Sequence, residues 1–293
     1  MEQNSRIGLA VGLAVLAGVG AIVFALSAAR TLEGAGGPAV TGEARRGSLT
    51  LNLAEAVADV RVRRAKVPGR PIVLIDPGHG GRDPGAPGIL GLITEKALTL
   101  VMAKEIADLL EQRGRVRVAL TREDDRYLTL EQRAGIARRL HAGLFVSIHM
   151  DSAPNPLAQG ATVYSLSDVA SSEEAARFAA AENADGALSS EANGSVRALL
   201  ADVALREQME ASAGLAERML RRAQGGVTLR PRPHQFAAFH VLRRAETPAV
   251  LIEAGYISNV DDGAKLATPE GRAPLVRALA QAIEADIATR AAR

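Results

Sequence analysis

The sequence predicts an α/β domain in which helices flank a mostly parallel or mixed sheet. Short, continuous apolar segments are typical of strands buried on both faces. Stretches with helical periodicity lie between these segments, which is the alternation that defines the α/β class. A chain of 293 residues with 47% hydrophobic content is also long enough to bury one sizeable core.

Strands are predicted where an apolar run meets turn-forming residues. The run that begins at Ile72 ends at Pro77-Gly78, as expected for a buried strand followed by a tight turn. The same reasoning predicts five further strands, at Val116–Leu120, Leu144–His149, Ala161–Leu166, Phe239–Leu242 and Ala249–Glu253.

Helices are predicted from apolar residues at three- and four-residue steps. The first helix is expected to end at Gly114, a residue type that favours the C-terminal cap. Thr129 and Gln132 have the spacing of a capping box and open a second helix. The predicted apolar stripes are Leu98, Val101, Met102, Ile106, Leu109 and Leu110 in the first helix, and Leu275, Leu279, Ile283 and Ile287 in the last.

The segment 169–224 interrupts this alternation. It contains two alanine-rich stretches with helical character, Ala170–Asn183 and Ser195–Arg222. A crossover between strands needs only about a dozen residues. We therefore predict a helical insertion that either has a function of its own or only packs against the domain, and we favour a function because long connections in compact domains are commonly functional.

The N-terminus predicts export from the cytoplasm. Ile7–Ala29 contains no charged residue and is long enough for a bilayer-spanning helix, which needs about 20 residues, so its length favours an uncleaved anchor. The apolar region of a signal peptide is shorter, about 7–15 residues, but the small residues Ser27–Ala29 also permit cleavage. Residues 1–30 are thus a signal-anchor or a signal peptide, 31–70 a linker and 71–293 the globular domain.

Composition excludes several functions. The chain has 35 basic and 33 acidic side chains and a net charge of +2, which argues against a nucleic-acid partner. It has no cysteine, so any metal must be bound by histidine and carboxylate. A local basic stretch, which we interpret as a solvated linker in preference to a phosphate site, comprises Arg61, Arg63, Arg64, Lys66 and Arg70.

Candidate site residues stand at the ends of the predicted strands, where open α/β sheets bind ligands. His79 follows the first strand on a glycine-rich turn, His149 ends the third, and Glu253 ends the last. Glu95 opens the first helix after a glycine-rich loop. Two imidazoles and one carboxylate form the open zinc site of many hydrolases, and a further carboxylate can carry protons to a leaving group.

Spacing alone leaves this assignment open. A histidine at a strand end is commonly a structural hydrogen-bonding residue, and the intervals between His79, Glu95, His149 and Glu253 match no short metal-binding motif. The five histidines of the chain include two at positions suited to a metal, so both interpretations stand on the residues alone.

The chain resembles the N-acetylmuramoyl-L-alanine amidases of the AmiA/AmiB/AmiC type, the amidase_3 family. The resemblance covers about Ile72 to Ile287 and includes several blocks in the same order. These blocks are IVLIDPGHGGRDPGA, Glu95-Lys96, TRxxDxYLxLxxR from Thr121 to Arg133, LFVSIH, GATVYSLS and PAVLIEAGYISN. Many relatives continue Ser-Ile-His with Ala-Asn, whereas this chain has Met150 and Asp151. The carboxylate of Asp151 either supports His149 from outside the ligand set or faces solvent, and we favour a solvent-facing residue.

The resemblance implies a single domain with a roughly six-stranded sheet and a zinc-activated water as the nucleophile. It places the zinc ligands at His79, Glu95 and His149 and the catalytic glutamate at Glu253. The substrate is then the amide bond between N-acetylmuramic acid and L-alanine in peptidoglycan, cleaved during wall remodelling and daughter-cell separation. Two alternatives remain open, a zinc carboxypeptidase acting on wall peptides and a wall-binding regulator with a decayed active site.

The resemblance also implies regulation. Division-associated relatives carry a helix that covers the zinc until an activator of the LytM type displaces it, and a glutamate of that helix can occupy the open metal position. The insertion offers Glu182, Glu191 and Glu210 as candidates. We expect a monomer on the periplasmic side of the cell envelope, tethered to the inner membrane through residues 7–29 or secreted.

Overall fold

The computed structural model describes residues 60–88, 94–185 and 196–292. The chain divides into two units, Met1–Ala54 and Glu55–Arg293, and all described residues belong to the second. Its strands are β1 Val62–Arg63, β2 Ile72–Pro77, β3 Arg117–Leu120, β4 Leu144–Asp151, β5 Ala161–Leu166, β6 Leu229–Ala237 and β7 Ala249–Tyr256. Its helices are α1 Glu95–Arg113, α2 Leu130–Arg139, α3 Glu173–Glu182, α4 Val196–Ala223, α5 His240–Arg244, α6 Val260–Ala267 and α7 Pro269–Ala291.

The strands form one mixed sheet in the order β1-β3-β2-β4-β7-β5-β6. The central strands β3, β2, β4 and β7 are parallel, whereas β5 runs antiparallel to β7 and parallel to β6. The α/β class and the mixed sheet are therefore confirmed, with seven strands within the described residues rather than about six. The carboxyl ends of the parallel strands lie at one edge of the sheet, where a ligand site is expected.

Helices cover both faces of the sheet and so explain the continuous apolar strands. On one face α1, α4 and α7 pack against side chains such as Val73, Val146 and Ile252. On the other face α2, α3 and α5 pack against Leu74, Phe145 and Leu251. Because side chains alternate along a strand, His149 and Glu253 point towards the second face. Glu95 reaches the same edge from the first face.

The helices confirm most of the predicted local signals. Gly114 caps α1 with a left-handed backbone, and its N–H donates to the carbonyl of Leu110. Thr129 and Gln132 form the capping box of α2. The predicted stripe of α7 is buried throughout. In α1 the prediction is wrong for Val101, which is 41% exposed.

The predicted strand at Phe239–Leu242 is wrong. This segment contains the end of a loop and the start of α5, and its apolar side chains are buried as a helix rather than as a strand. The strand lies earlier, at β6, which contains Pro231 and Pro233. Proline cannot donate to a strand ladder and is tolerated at a sheet edge. Since β6 is an edge strand, its sequence lacks the apolar run that marks the central strands.

The first strand lies inside the stretch that we interpreted as a linker. Val62 and Arg63 pair with β3 in antiparallel orientation. The Arg63 guanidinium forms ion pairs with Asp108, Glu111 and Glu123. Part of the basic stretch is therefore folded onto the sheet rather than solvated.

The predicted insertion forms two helices, α3 and α4. Leu215, Ala216 and Met219 of α4 are buried in the core against α7, so the second half of α4 is an ordinary packing helix. The short helix α3 ends at the metal-site edge of the sheet. No helix within the described residues is long and apolar enough to span a membrane; Ile7–Ala29 lies outside them.

Candidate metal centre

The turn after β2 places His79 at the edge of the sheet. Its backbone lies in the left-handed region, with φ 59°, which costs a non-glycine residue on the order of 1 kcal/mol. Two buried arginines support the turn. Nη2 of Arg122 donates to the carbonyl of Gly78 at 2.7 Å, and Nη2 of Arg133 donates to the carbonyl of His79 at 2.6 Å. The surrounding structure thus fixes the position of the imidazole.

One of these two arginines, Arg133, forms a buried ion pair. Nη1 of Arg133 lies 2.8 Å from a carboxylate oxygen of Asp76, and both side chains are buried. The hydroxyls of Thr121 and Ser147 also donate to Asp76, at 2.6 and 2.9 Å. A buried ion pair needs such additional hydrogen bonds to offset desolvation. The TRxxDxYLxLxxR block therefore has a structural role, because it holds the His79 turn in place. This role could not be predicted from the sequence.

The three predicted metal ligands lie together. Nε2 of His79 is 3.0 Å from Oε2 of Glu95, and Nδ1 of His149 is 3.1 Å from Oε1 of Glu95. A tetrahedral zinc ion binds nitrogen and oxygen at about 2.0–2.2 Å, which places neighbouring ligand atoms roughly 3.3 Å apart. Each histidine nitrogen therefore lies near this spacing from one oxygen of Glu95, although the two contacts use different oxygens.

Two further observations support a metal at this position. Nε2 of His79 is buried and lies 3.0 Å from the Glu95 carboxylate, so a metal ion between the two side chains would replace this contact. Two glycines leave room for the ligands, because a Cβ added to Gly85 would lie 2.5 Å from Oε2 of Glu95, and one added to Gly78 would lie 2.5 Å from Cε1 of His149. The candidate ligand side chains thus pack closely against the backbone of these two glycines, in space that a larger residue at either position would fill.

The other ring nitrogen of His79 is held by Asp83. Nδ1 lies 2.8 Å from Oδ2 of Asp83, so with the proton on Nδ1 the Nε2 lone pair is free to bind a metal, as is usual for ligating histidines. Burial lowers the pKa of His79, but Asp83 and Glu95 outweigh burial and raise it to about 10. These carboxylates therefore favour a positive charge at the site, which a metal ion can supply in place of the proton.

Glu95 is fixed as a carboxylate. Its oxygens accept hydrogen bonds from the backbone N–H of Ala86 at 2.7 Å and of Met150 at 2.9 Å. Burial opposes its ionisation, yet the hydrogen bonds from His149 and His79 hold the pKa of Glu95 well below its ordinary value. An ionised, oriented carboxylate is the form that zinc requires.

A second carboxylate reaches the cluster from α3. Glu182 is the last residue of that helix, and its Oε2 lies 3.5 Å from Nδ1 of His149. One ligand atom from each of His79, His149 and Glu182 lies within 4.8 Å of the others. Burial raises the pKa of Glu182, and the two histidines partly offset this.

Of the other insertion glutamates, Glu210 does not join this cluster. Glu210 lies on α4 and lines a separate depression with Arg218 and Asp286. Glu191 lies outside the described residues. Glu182 reaches the cluster because of the rotation of α3 about its own axis and the position at which that helix ends. Neither property can be predicted from an alanine-rich sequence.

Glu253 lies beside the ligands without contacting a partner of its own. It is opposite His149 in the β4–β7 register and is 1% exposed. Both of its carboxyl oxygens are buried and lack a hydrogen bond among the described residues. Burial, reinforced by Asp151, Glu95 and Glu182, raises the pKa of Glu253 well above its ordinary value. A carboxyl group with a raised pKa suits transfer of a proton near neutral pH.

Our interpretation of Asp151 as a solvent-facing residue is wrong. Asp151 is the last residue of β4 and is paired with Tyr256 of β7. Its side chain is partly buried, and burial raises its pKa, which proximity to Tyr256 partly offsets. Its charge also acts on Glu253, so Asp151 belongs to the electrostatic surroundings of the site.

Two imidazoles and a carboxylate at the carboxyl edge of an α/β sheet, with a second buried glutamate beside them, are the groups that metal-dependent hydrolases use. Comparison with known families gives the particular type. The family model described as N-acetylmuramoyl-L-alanine amidase matches residues 73–285, and the chain belongs to this family of enzymes, which cleave the bond between the murein sugar and its peptide.

Individual relatives agree with this assignment. The chain is 32% identical over 220 residues to the amidase AmiA of Escherichia coli, covering 73% of this chain and 75% of AmiA. It is 32% identical over 224 residues to AmiC of Neisseria meningitidis, covering 75% of this chain but 53% of that protein. Among solved structures, the amidase AmiC2 of Nostoc punctiforme has 30% identity and a TM-score of 0.53, covering 77% of this chain and 99% of the other.

Proposed function

We propose that His79, Glu95 and His149 bind one zinc ion and that Glu253 is the catalytic proton carrier. The observation that carries this proposal is the spacing of the three ligand groups, with 3.0 and 3.1 Å between each histidine and Glu95. When bound, zinc supplies Lewis acidity towards the amide carbonyl and lowers the pKa of water.

The chain's own residues then perform four tasks. Glu95 orients both imidazoles through its two oxygens, and Asp83 fixes the tautomer of His79. Glu253 accepts a proton from the attacking water and transfers it to the nitrogen of L-alanine, which leaves as an amine. The raised pKa of Glu253 makes its carboxylate a stronger base towards the water, and transfer of the proton to the leaving amine returns the carboxylate for the next cycle.

The substrate is the amide bond between the lactyl group of N-acetylmuramic acid and L-alanine. Product analysis of purified sacculi tests this, with new amino termini expected at L-alanine and no new carboxyl termini within the stem peptide. New carboxyl termini would instead indicate a wall carboxypeptidase. No soluble product from a zinc-loaded, folded protein would indicate a regulator with a decayed site, against which the assembled cluster of His79, Glu95, His149 and Glu253 speaks.

We further propose that α3 is an autoinhibitory helix and that Glu182 takes the fourth metal position. The end of α3 is clamped to the body of the domain. Nδ2 of Asn183 donates to the carbonyl of Ala238 and its Oδ1 accepts from the N–H of His240, both at 2.8 Å. Phe178 packs against the rings of Tyr164 and Phe239. A carboxylate held in this way excludes the water that hydrolysis requires.

Replacing Glu182 with glutamine is expected to raise basal murein digestion. Release can raise activity only as far as the closed state is favoured, about tenfold for a gap of ~1.4 kcal/mol. The matched control is Glu210→Gln, the same change on α4 outside the cluster, which should leave the rate unchanged. A folded, zinc-loaded Glu182→Gln protein with unchanged or lower basal activity would exclude autoinhibition by this residue. A deletion of 183–205 is less informative, because it removes the Asn183 clamp as well.

Cellular context remains a proposal that follows from the family. We propose a monomeric enzyme on the periplasmic side of the envelope that acts in wall remodelling and daughter-cell separation. A LytM-type activator would displace α3. The segment Ile7–Ala29 would tether the enzyme to the inner membrane, and a mature protein that begins near Arg30 and fractionates free of membranes would refute the tether.

A further inference from the structure

A concentration of arginines lies away from the metal centre. Four guanidinium groups line a cavity of about 550 Å³, which we call the basic cavity. Arg70 precedes β2 by two residues, Arg113 ends α1, Arg115 precedes β3, and Arg222 lies in the last turn of α4. We propose that the basic cavity docks on the anionic phospholipid head groups of a membrane surface.

The charge of the cavity is only partly compensated. Glu284 is its one acidic lining residue and is buried, 3.1 Å from Nη1 of Arg113 and 3.5 Å from Nη1 of Arg115. Glu284 thereby orients these two guanidinium groups. Arg70 and Arg222 are exposed and form no ion pair within the described part of the chain. The cavity therefore carries an excess of about three positive charges, although the whole chain has a net charge of only +2.

Anionic head groups fit this arrangement for three reasons. Guanidinium groups bind phosphate oxygens through paired hydrogen bonds. The mutual repulsion of four like charges is relieved when a phosphate lies among them. The cavity is concave and of a size that admits a small group, within the range of roughly 300–1,000 Å³ for ligand sites, whereas an acidic protein surface would be matched by a flatter patch.

The position of the basic cavity determines how a docked protein would be oriented on the membrane. Arg70 and Arg115 stand at the amino ends of β2 and β3, and the metal ligands stand at the carboxyl ends of the parallel strands. Six residues of β2 separate the two ends, a distance of about 20 Å at 3.3 Å per residue. Docking through the basic cavity would therefore direct the catalytic edge away from the lipid and towards the wall.

Site-specific labelling of the full chain tests this proposal, since the sequence has no cysteine. One fluorophore is attached at Ala288→Cys, an exposed position of the cavity lining. A second protein carries it at Leu157→Cys, an 80% exposed residue in the loop after β4, at the catalytic edge. Each is reconstituted with vesicles of phosphatidylcholine, alone or mixed with phosphatidylglycerol, that contain a head-group quencher. We expect stronger quenching at position 288 than at 157 on the anionic vesicles only, and loss of the difference at high salt.

Charge reversal of the two unpaired arginines provides the decisive comparison. Each basic side chain near an anionic surface contributes about fivefold to affinity, so Arg70→Glu combined with Arg222→Glu should weaken docking by at least about 25-fold. The control is Arg206→Glu with Arg232→Glu, an equal change of charge at exposed positions outside the cavity. Equal quenching at both probe positions, or equal behaviour of the two double variants, would overturn the proposal. A response of the position 288 probe to inorganic phosphate or to an acidic protein, without preference for anionic vesicles, would also overturn it.

Discussion

His149→Ala and His79→Ala are each expected to abolish zinc binding. Two ligands cannot hold zinc in a site built for three, and even the loss of an outer hydrogen-bonding partner costs about 10–100-fold in metal affinity. The loss should therefore be larger than this and should remove murein digestion with it. Zinc per polypeptide, measured by atomic emission after dialysis against a weak chelator, gives the result directly.

Folding must be separated from metal loss in these variants. Both histidines contact the buried carboxylate of Glu95, and removing one partner of a buried charge can cost about 3–5 kcal/mol. His149→Gln retains a hydrogen-bond donor near Glu95 and keeps the test valid if the alanine variant is unstable. His141→Asn is the control, since His141 is exposed and has a left-handed backbone that asparagine tolerates. Full zinc occupancy in a folded His79 or His149 variant would show that the ligand assignment is wrong.

The electrostatics of the candidate site favour a bound cation. Glu95, Glu182 and Glu253 are all buried near two histidines. Without a positive charge, burial and mutual repulsion favour protonation of the carboxyl groups, as the raised pKa values of Glu182 and Glu253 show. Among the described residues, His79 and His149 partly offset this for Glu182, and Arg230 does so for Glu253. A divalent ion held by these side chains would supply that charge without a proton and would bring Lewis acidity.

The central part of the fold could be predicted because its strands are buried on both faces. Such strands produce continuous apolar runs, as at β2, β4 and β7, and the residues that end these runs become site residues. The edge strands β1 and β6 could not be found in this way. Val62–Arg63 is too short to show a pattern, and the prolines of β6 resemble a loop.

The residues of the candidate site, like the strands, could be predicted only in part from the sequence. His79, Glu95, His149 and Glu253 follow from strand ends, turns and the family resemblance. Asp83 lies four residues after His79 within a quoted block, but only the folded turn shows that it contacts Nδ1. The partial burial of Asp151 depends on its pairing with β7, a contact between residues more than a hundred positions apart.

Glu253→Gln is expected to lower turnover while leaving zinc bound. Glutamine preserves the shape of the side chain but cannot exchange a proton, and general acid–base groups contribute about 10²–10⁴ in rate. The measurement is murein digestion at matched zinc content. Because Glu253 is not among the three proposed ligands, the Glu253→Gln variant should bind as much zinc as the unsubstituted enzyme. The histidine variants should not.

The same substitution has a predictable effect on the stability of the metal-free protein. The folded pKa of Glu253 is raised well above 4.5, so as the pH rises past 4.5 the unfolded chain loses this proton while the folded chain keeps it. The free energy of unfolding must then fall with rising pH across that window. Glu253→Gln removes this contribution, so urea unfolding at pH 5 and pH 7 should show a smaller decrease for the variant. If the Glu253→Gln variant digests murein at nearly the normal rate, the proton carrier lies elsewhere. If its stability depends on pH in the same way as that of the unsubstituted protein, Glu253 is ionised before zinc binds.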